Sequence, residues 1–270
     1  MQRAFFTRAP NNAELALLKK FLACYRDGSG NHREADGSSR PDSRQIERCL
    51  AELLYGKTTE NKSYYDFVVE CNESGGIAIR GASVKSKEIT NLRNFPKNID
   101  KMRSHLEISN SSAKDWRECR DQGLSEDDFR CQKNADKFGS IILSRQNRDR
   151  LTSQETYLVN SLDNTNKWFE EKECIFISLI YSQEQKGERV YLLSAFPILL
   201  PQPSAWEFQK SRLVGLDNDG GILYEWYALS GSQFKYYPLI KNRANGTNLF
   251  SLPKPAHENL RAKAARLFGD

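Results

Sequence analysis

Leu15, Leu18, Leu22 and Tyr25 recur three or four positions apart and predict a first helix over about residues 12–25, packed on a core through that stripe. The following RDGSGNHREADGSSRPDS has no apolar period and reads as a mobile loop rich in Gly, Ser and charge. It ends where Asp42 or Ser43 can cap a second helix, RQIERCLAELLYG, which stops at Gly56. SYYDFVVEC and GIAIRGASVKSKEI then carry the β-branched and aromatic content of strands. The turn NESGG between them makes the pair a hairpin.

The next stretch is polar with a helical pattern. Pro96 suits the first turn of a helix through about His105, and Ser112 starts another through Cys119. Ser125 with Asp128 resembles a capping box before a helix that reaches toward Arg145. The character changes again at CIFISLIYS, RVYLLSAFPIL, GILYEWYALS and QFKYYPLI, four strand candidates separated by turn residues. HENLRAKAARLF closes the chain as an amphipathic helix. Helix, helix, hairpin, helices, strands, helix is the signature of a mixed central sheet flanked by helices, in the α/β or α+β class. A single domain over 1–270 is expected, with a β-rich second half over about 170–270.

A chain of 270 residues can bury a core without disulfides or structural metal. Hydrophobic residues make up 39% and charged residues 28%, and the longest apolar run is interrupted by Pro197, so no transmembrane helix is expected. The N-terminal apolar residues are mixed with Glu14, Lys19 and Lys20, unlike a secretory signal, and a cytoplasmic location is expected. The six cysteines lack a C-x-x-C pair and read as reduced small hydrophobes. His32, His105 and His257 stand in no zinc-binding arrangement. The net charge of +5 is mild, but the last thirty residues set Lys241, Arg243, Lys254, Arg261, Lys263 and Arg266 against only Glu258 and Asp270. Such a tail can hold a phosphate backbone, and a solvated helix face accounts for it as well.

The hairpin carries the chemistry. Asp66 lies within the first strand, where a carboxylate is costly to bury without a partner or a metal. On the second strand Ser83, Lys85 and Lys87 share one face, while Ala82 and Val84 point to the other and fill the core. On the preceding helix Ile46, Leu50, Leu53 and Leu54 define the inward side, and Glu47 sits at its edge.

This arrangement over about residues 43–88 resembles the PD-(D/E)xK nucleases, the fold that includes most type II restriction endonucleases. The resemblance implies a restriction-endonuclease-like fold with a catalytic core over about residues 43–90. It implies that Asp66 binds Mg²⁺, that Glu47 supports the metal site, and that Lys85 positions or activates the attacking water. Ser83 would stand at the usual acidic position, with Glu70, Glu88 or Asp100 as candidates for the missing carboxylate. The activity implied is site-specific hydrolysis of double-stranded DNA by a homodimer. Read from the residues alone, Asp66 could instead pair with Lys85 across the hairpin, and Glu47 could be a solvated partner of Arg44 or Arg48.

Base reading calls for Arg, Lys, Asn and Gln, whose forks match guanine and adenine edges. The loop LIKNRANGTNLF, with Lys241, Asn242, Arg243, Asn245 and Asn248, is the first expectation for DNA contact. Arg145, Gln146, Asn147, Arg148 and Arg150 come second, and Lys87 is a candidate phosphate contact. The chain has no phosphate-binding G-x-x-x-x-G-K-[ST] loop, dinucleotide fingerprint or G-x-S-x-G elbow. The rival to a nuclease is a non-catalytic DNA-binding or protein-interaction module of the same fold class.

Overall fold

The computed structural model describes residues 3–28, 32–34, 37–59, 64–161, 166–183, 185, 188–231, 233–254, 258 and 260–269. The helices are α1 (Asn12–Ala23), α2 (Ser43–Leu54), α3 (Phe95–Asn98), α4 (Ser112–Asp121), α5 (Glu126–Arg130), α6 (Ala135–Val159) and α7 (Leu260–Phe268). The first strands are β1 (His32–Arg33), β2 (Ser39–Arg40), β3 (Lys57–Thr58), β4 (Phe67–Glu73), β5 (Gly76–Ile89), β6 (Leu106–Asn110) and β7 (Lys167–Phe169). They are followed by β8 (Ile175–Ser182), β9 (Tyr191–Pro197), β10 (Ala205–Gln209), β11 (Arg212–Leu216), β12 (Ile222–Trp226), β13 (Gln233–Tyr236) and β14 (Asn245–Gly246).

The central sheet runs β14-β9-β8-β5-β4-β3 and is mixed, as expected. β4 and β5 are antiparallel with Phe67 opposite Ala82, whereas β8 lies parallel to β5 with Ser178 opposite Lys85. β7 also runs parallel to β5, upstream of β8, so one long strand is flanked by two shorter ones in succession. Alternation along the strands divides the core. Phe67, Val69, Ala82 and Val84 pack with Ile46, Leu50, Leu53 and Leu54 of α2 and with Leu18 and Leu22 of α1. On the opposite face Val68, Ile79 and Phe176 meet Phe138 and Ile142 of α6 and the aromatic side chains of a second sheet.

The second sheet, β10-β11-β12-β13-β6, is antiparallel throughout. Three of its members escaped the sequence pattern. β10 and β11 join at Lys210 and Ser211, with Lys210 in the left-handed region at φ 58°, a turn without the Asn-Gly or Gly signal that marks a hairpin. β6 is a short strand that reaches its partner β13 across more than a hundred residues.

Three helix expectations change. The helix expected from Pro96 to His105 is the single turn α3, after which Ile99 and Met102 pack against the Leu92, Phe95, Ile180, Leu192 and Ile240 cluster. The capping box of Ser125 and Asp128 forms, but its helix ends at Arg130, and Gln132 and Asn134 adopt positive φ before α6 starts. The closing helix begins at Leu260; His257, where it was expected to start, lies outside the described residues. Within the expected mobile loop, His32–Arg33 and Ser39–Arg40 pair as β1 and β2, and residues 29–31 and 35–36 lie outside the described part. No disulfide joins the six cysteines, four of which are buried. Among the described residues no helix is long and apolar enough to cross a membrane.

Candidate active site

Asp42 caps α2 by accepting from the Gln45 N–H at 2.9 Å, while the Gln45 side chain accepts from the Asp42 N–H at 2.9 Å. Ile46, Cys49, Leu50, Leu53 and Leu54 then anchor the helix on the sheet, and this fixes Glu47 half-buried at its rim. Tyr55 ends the helix in the left-handed region, and the Gly56 N–H returns to the Ala51 carbonyl. The chain thereby turns toward β3 and the hairpin.

Asp66 stands one residue before β4 rather than inside it. Its N–H donates to the Ala82 carbonyl at 2.9 Å, and its Oδ2 accepts from the Val84 N–H at 2.6 Å. The carboxylate thus occupies the place where a strand partner for Val84 would continue. The buried Ser83 hydroxyl donates to the same oxygen at 3.3 Å, and the Lys85 Nζ lies 3.6 Å from it. Tyr65 lies directly over Gly81, where a Cβ would collide with the ring. That close approach holds the segment leading into Asp66 against β5.

Glu47 belongs to the same group electrostatically. Burial, reinforced by repulsion from Asp66 and opposed by Lys85 and Arg44, pushes its carboxyl up to about 7. Among the described residues no ion pair holds it, so neither Arg44 nor Arg48 takes the role left open for them. A divalent cation placed between the two carboxylates would relieve that repulsion, and Mg²⁺ is bound by one or two carboxylates with water and phosphate. Glu47 and Asp66 are the two carboxylates that could hold such a cation. No third acidic, His or Cys ligand joins them among the described residues. Glu70 is tied to Lys57, Lys167 and Tyr157, Glu88 pairs with Arg189, and Asp100 is exposed after α3. Ser83 supplies a hydroxyl that steadies Asp66.

Asp66 and Lys85 open into a cleft of about 700 Å³. One wall is a stripe of α6 containing Asp149, Thr152 and Thr156, and the other is the end of β6 with the start of α4, including Asn110 and Lys114. The sequence reading missed this cleft. Its one available signal was the run of small polar residues at helical spacing from Asp149 to Asn160.

The expected DNA contacts scatter. Lys87 is exposed on β5, two residues beyond Lys85 on the same face. Burial, reinforced by Lys87 and Lys235, holds His105 down at about 4, so the imidazole is neutral at neutral pH. Arg145 is no surface contact: it is 2% exposed and pairs with Asp115 and Asp149, each at 2.5 Å. Gln146 is buried on Ser109, and Arg150 is buried against Glu171 at 2.7 Å, so neither offers a side chain to a duplex. Asn147 is half-buried, whereas Arg148 is exposed and paired with Glu118.

The loop from Lys241 to Asn248 is the far edge of the central sheet. Asn245 pairs with Ala195 and donates to the Phe5 carbonyl, while Arg243 donates to the Thr247 carbonyl and lies over the Phe95 ring. Both side chains are committed to the fold, whereas Lys241, Asn242 and Asn248 are exposed. At roughly 4.8 Å per strand step, β14 stands about 19 Å from β4. The loop is therefore not part of the Asp66 cleft. Comparison with protein-family models, curated proteins and solved structures gave no match.

Proposed function

We propose that this protein is a Mg²⁺-dependent endonuclease that hydrolyses phosphodiester bonds of double-stranded DNA at specific sites, on a fold of the PD-(D/E)xK type. The observation that supports the reading is the Asp66–Lys85 pair of the hairpin lining a cleft, with the half-buried Glu47 of α2 within electrostatic reach of both. Glu47 and Asp66 would hold Mg²⁺, which supplies positive charge to offset the charge developing on the phosphoryl oxygens. Val84 and Ser83 fix the direction of the Asp66 carboxylate through one oxygen and leave the other for the ligand. The Lys85 ammonium, beside Asp66, stabilises the transition state or orients the attacking water. Lys87 continues the strand face toward the DNA backbone. Cutting both strands of a two-fold symmetric site takes two such centres, so the proposed assembly on DNA is a homodimer, to be seen as two protomers per duplex in light scattering.

Incubation with plasmid DNA in Mg²⁺ and in EDTA tests the activity. Discrete bands that require Mg²⁺ are expected, and a smear would remove site specificity from the proposal. Intact plasmid at every Mg²⁺ concentration would leave the non-catalytic binding module as the function.

A further inference from the structure

The cleft beside Asp66 is not built like a channel for a phosphate backbone. Among the described residues four charged side chains line it, and they face one another in pairs: Lys85 lies 3.6 Å from Asp66, and Lys114 lies 3.9 Å from Asp149. Asp149 is further neutralised by Arg145 at 2.5 Å. Among the described residues no cation lines the α6 wall, where a chain that brings one negative charge with each phosphate would need one. What remains along the wall of α6 is neutral. Thr152, Thr156 and Asn160 are exposed hydroxyl and amide groups at helical spacing, and the rings of Tyr64 and Tyr157 stand near them. Across the cleft Asn110 and Ser111 add further donors and acceptors.

Hydroxyl and amide groups of this kind match the edges of a nucleobase and the oxygens of a sugar. Asp149 adds a specific element. Arg145 and Lys114 both approach its Oδ2, which leaves Oδ1 to accept from an exocyclic amino group. A volume of about 700 Å³ is that of a small-molecule pocket and accommodates one nucleotide. A base pair would bring two backbones, and hence two phosphates, where the described lining supplies only Lys85 and Lys114, each facing a carboxylate.

We propose that this part of the cleft receives a single nucleotide unstacked from the duplex next to the scissile phosphate, with its base against α6 and its phosphate toward Lys85 and Lys87. The inference rests on the nuclease reading for the word scissile, but the pocket itself can be tested without cleavage. The energy of unstacking is lowest for a base that is already unpaired. A duplex with a one-nucleotide bulge should therefore bind more tightly than the fully paired duplex of the same sequence.

The probes are two fluorescent duplexes, bulged and paired, titrated with the full chain in Ca²⁺, with 2-aminopurine as the bulged base. Binding of the bulged duplex at least about tenfold tighter, with a change in 2-aminopurine emission on binding, is the expected result. Thr152→Tyr, which fills the cleft from an exposed helix position, should erase the preference without changing the melting temperature, and Thr152→Ser should keep it. Equal affinity for the two duplexes, or a preference that survives Thr152→Tyr, overturns the inference. A preference in a protein that cuts no DNA in Mg²⁺ upholds the pocket and removes the nuclease. Cleavage without a preference does the reverse.

Discussion

Two acid–base pairs face the space between the sheets, and they are built differently. Asp115 and Arg145 are 0% and 2% exposed, joined at 2.5 Å, and their remaining groups are taken up by Trp226, Asp149 and Ser109. Asp66 and Lys85 are 22% and 24% exposed and 3.6 Å apart, with only one carboxylate oxygen engaged. The first pair has no valence left for a ligand, and its removal would strand a buried charge. The second is held in direction but not saturated. Pairing alone therefore does not distinguish a structural ion pair from one proposed to be reactive. The difference lies in what each pair leaves unmade.

The largest expected effect on stability belongs to the interior pair. Arg145→Ala leaves Asp115 buried without its partner and should cost about 3–5 kcal/mol in urea unfolding. A loss under about 1 kcal/mol would mean that the two pairs are alike. Lys85→Ala should be the converse, lowering the single-turnover cleavage rate by about 10²–10³, or about 2.7–4 kcal/mol of barrier. At the partly exposed cleft position its stability cost should stay within about 1 kcal/mol. A variant that loses stability but keeps its rate would reassign Lys85 to the fold.

A smaller effect is set by pH at His105. Its folded pKa, about 4, lies below the ordinary value of 6.5, so the unfolded chain binds the proton more readily. Its contribution to stability is present above pH 6.5 and is lost as pH falls from there toward 4. His105→Gln should flatten that part of the stability profile, and an unchanged slope would contradict the burial and the lysine neighbours that cause the shift. The smallest effect is expected at Lys87. Lys87→Ala should weaken DNA binding modestly and reduce the salt dependence by about one counterion while leaving the rate at saturation unchanged. A rate loss equal to that of Lys85→Ala would erase the distinction between the two lysines.

The same contrast explains what the sequence could disclose. α2 and the β4–β5 hairpin were legible because a capping box, a helical apolar stripe and a two-residue alternation agree over adjacent residues. Glu47, Asp66 and Lys85 followed from that local frame. Arg145 was misplaced because RQNRDR is polar at every position, while the partner that buries it, Asp115, is thirty residues away on another helix. Asn245 was read as a surface contact for a related reason: its commitments, to Ala195 and Phe5, are remote. Polar residues disclose that they need partners, and only tertiary structure decides whether a ligand or the protein supplies them.

Asp66 is where these lines meet, because one side chain organises the hairpin end and is proposed to hold the metal. The most direct measurement pairs single-turnover cleavage with thermal unfolding for Asp66→Asn, which keeps the shape and a hydrogen-bond acceptor for Val84 but removes the negative charge. The account predicts a rate lower by at least about 10³ with a melting temperature close to that of the unmodified protein and DNA binding in Ca²⁺ intact. Cleavage within about tenfold of the unmodified rate, a difference of about 1.4 kcal/mol in barrier, would contradict it.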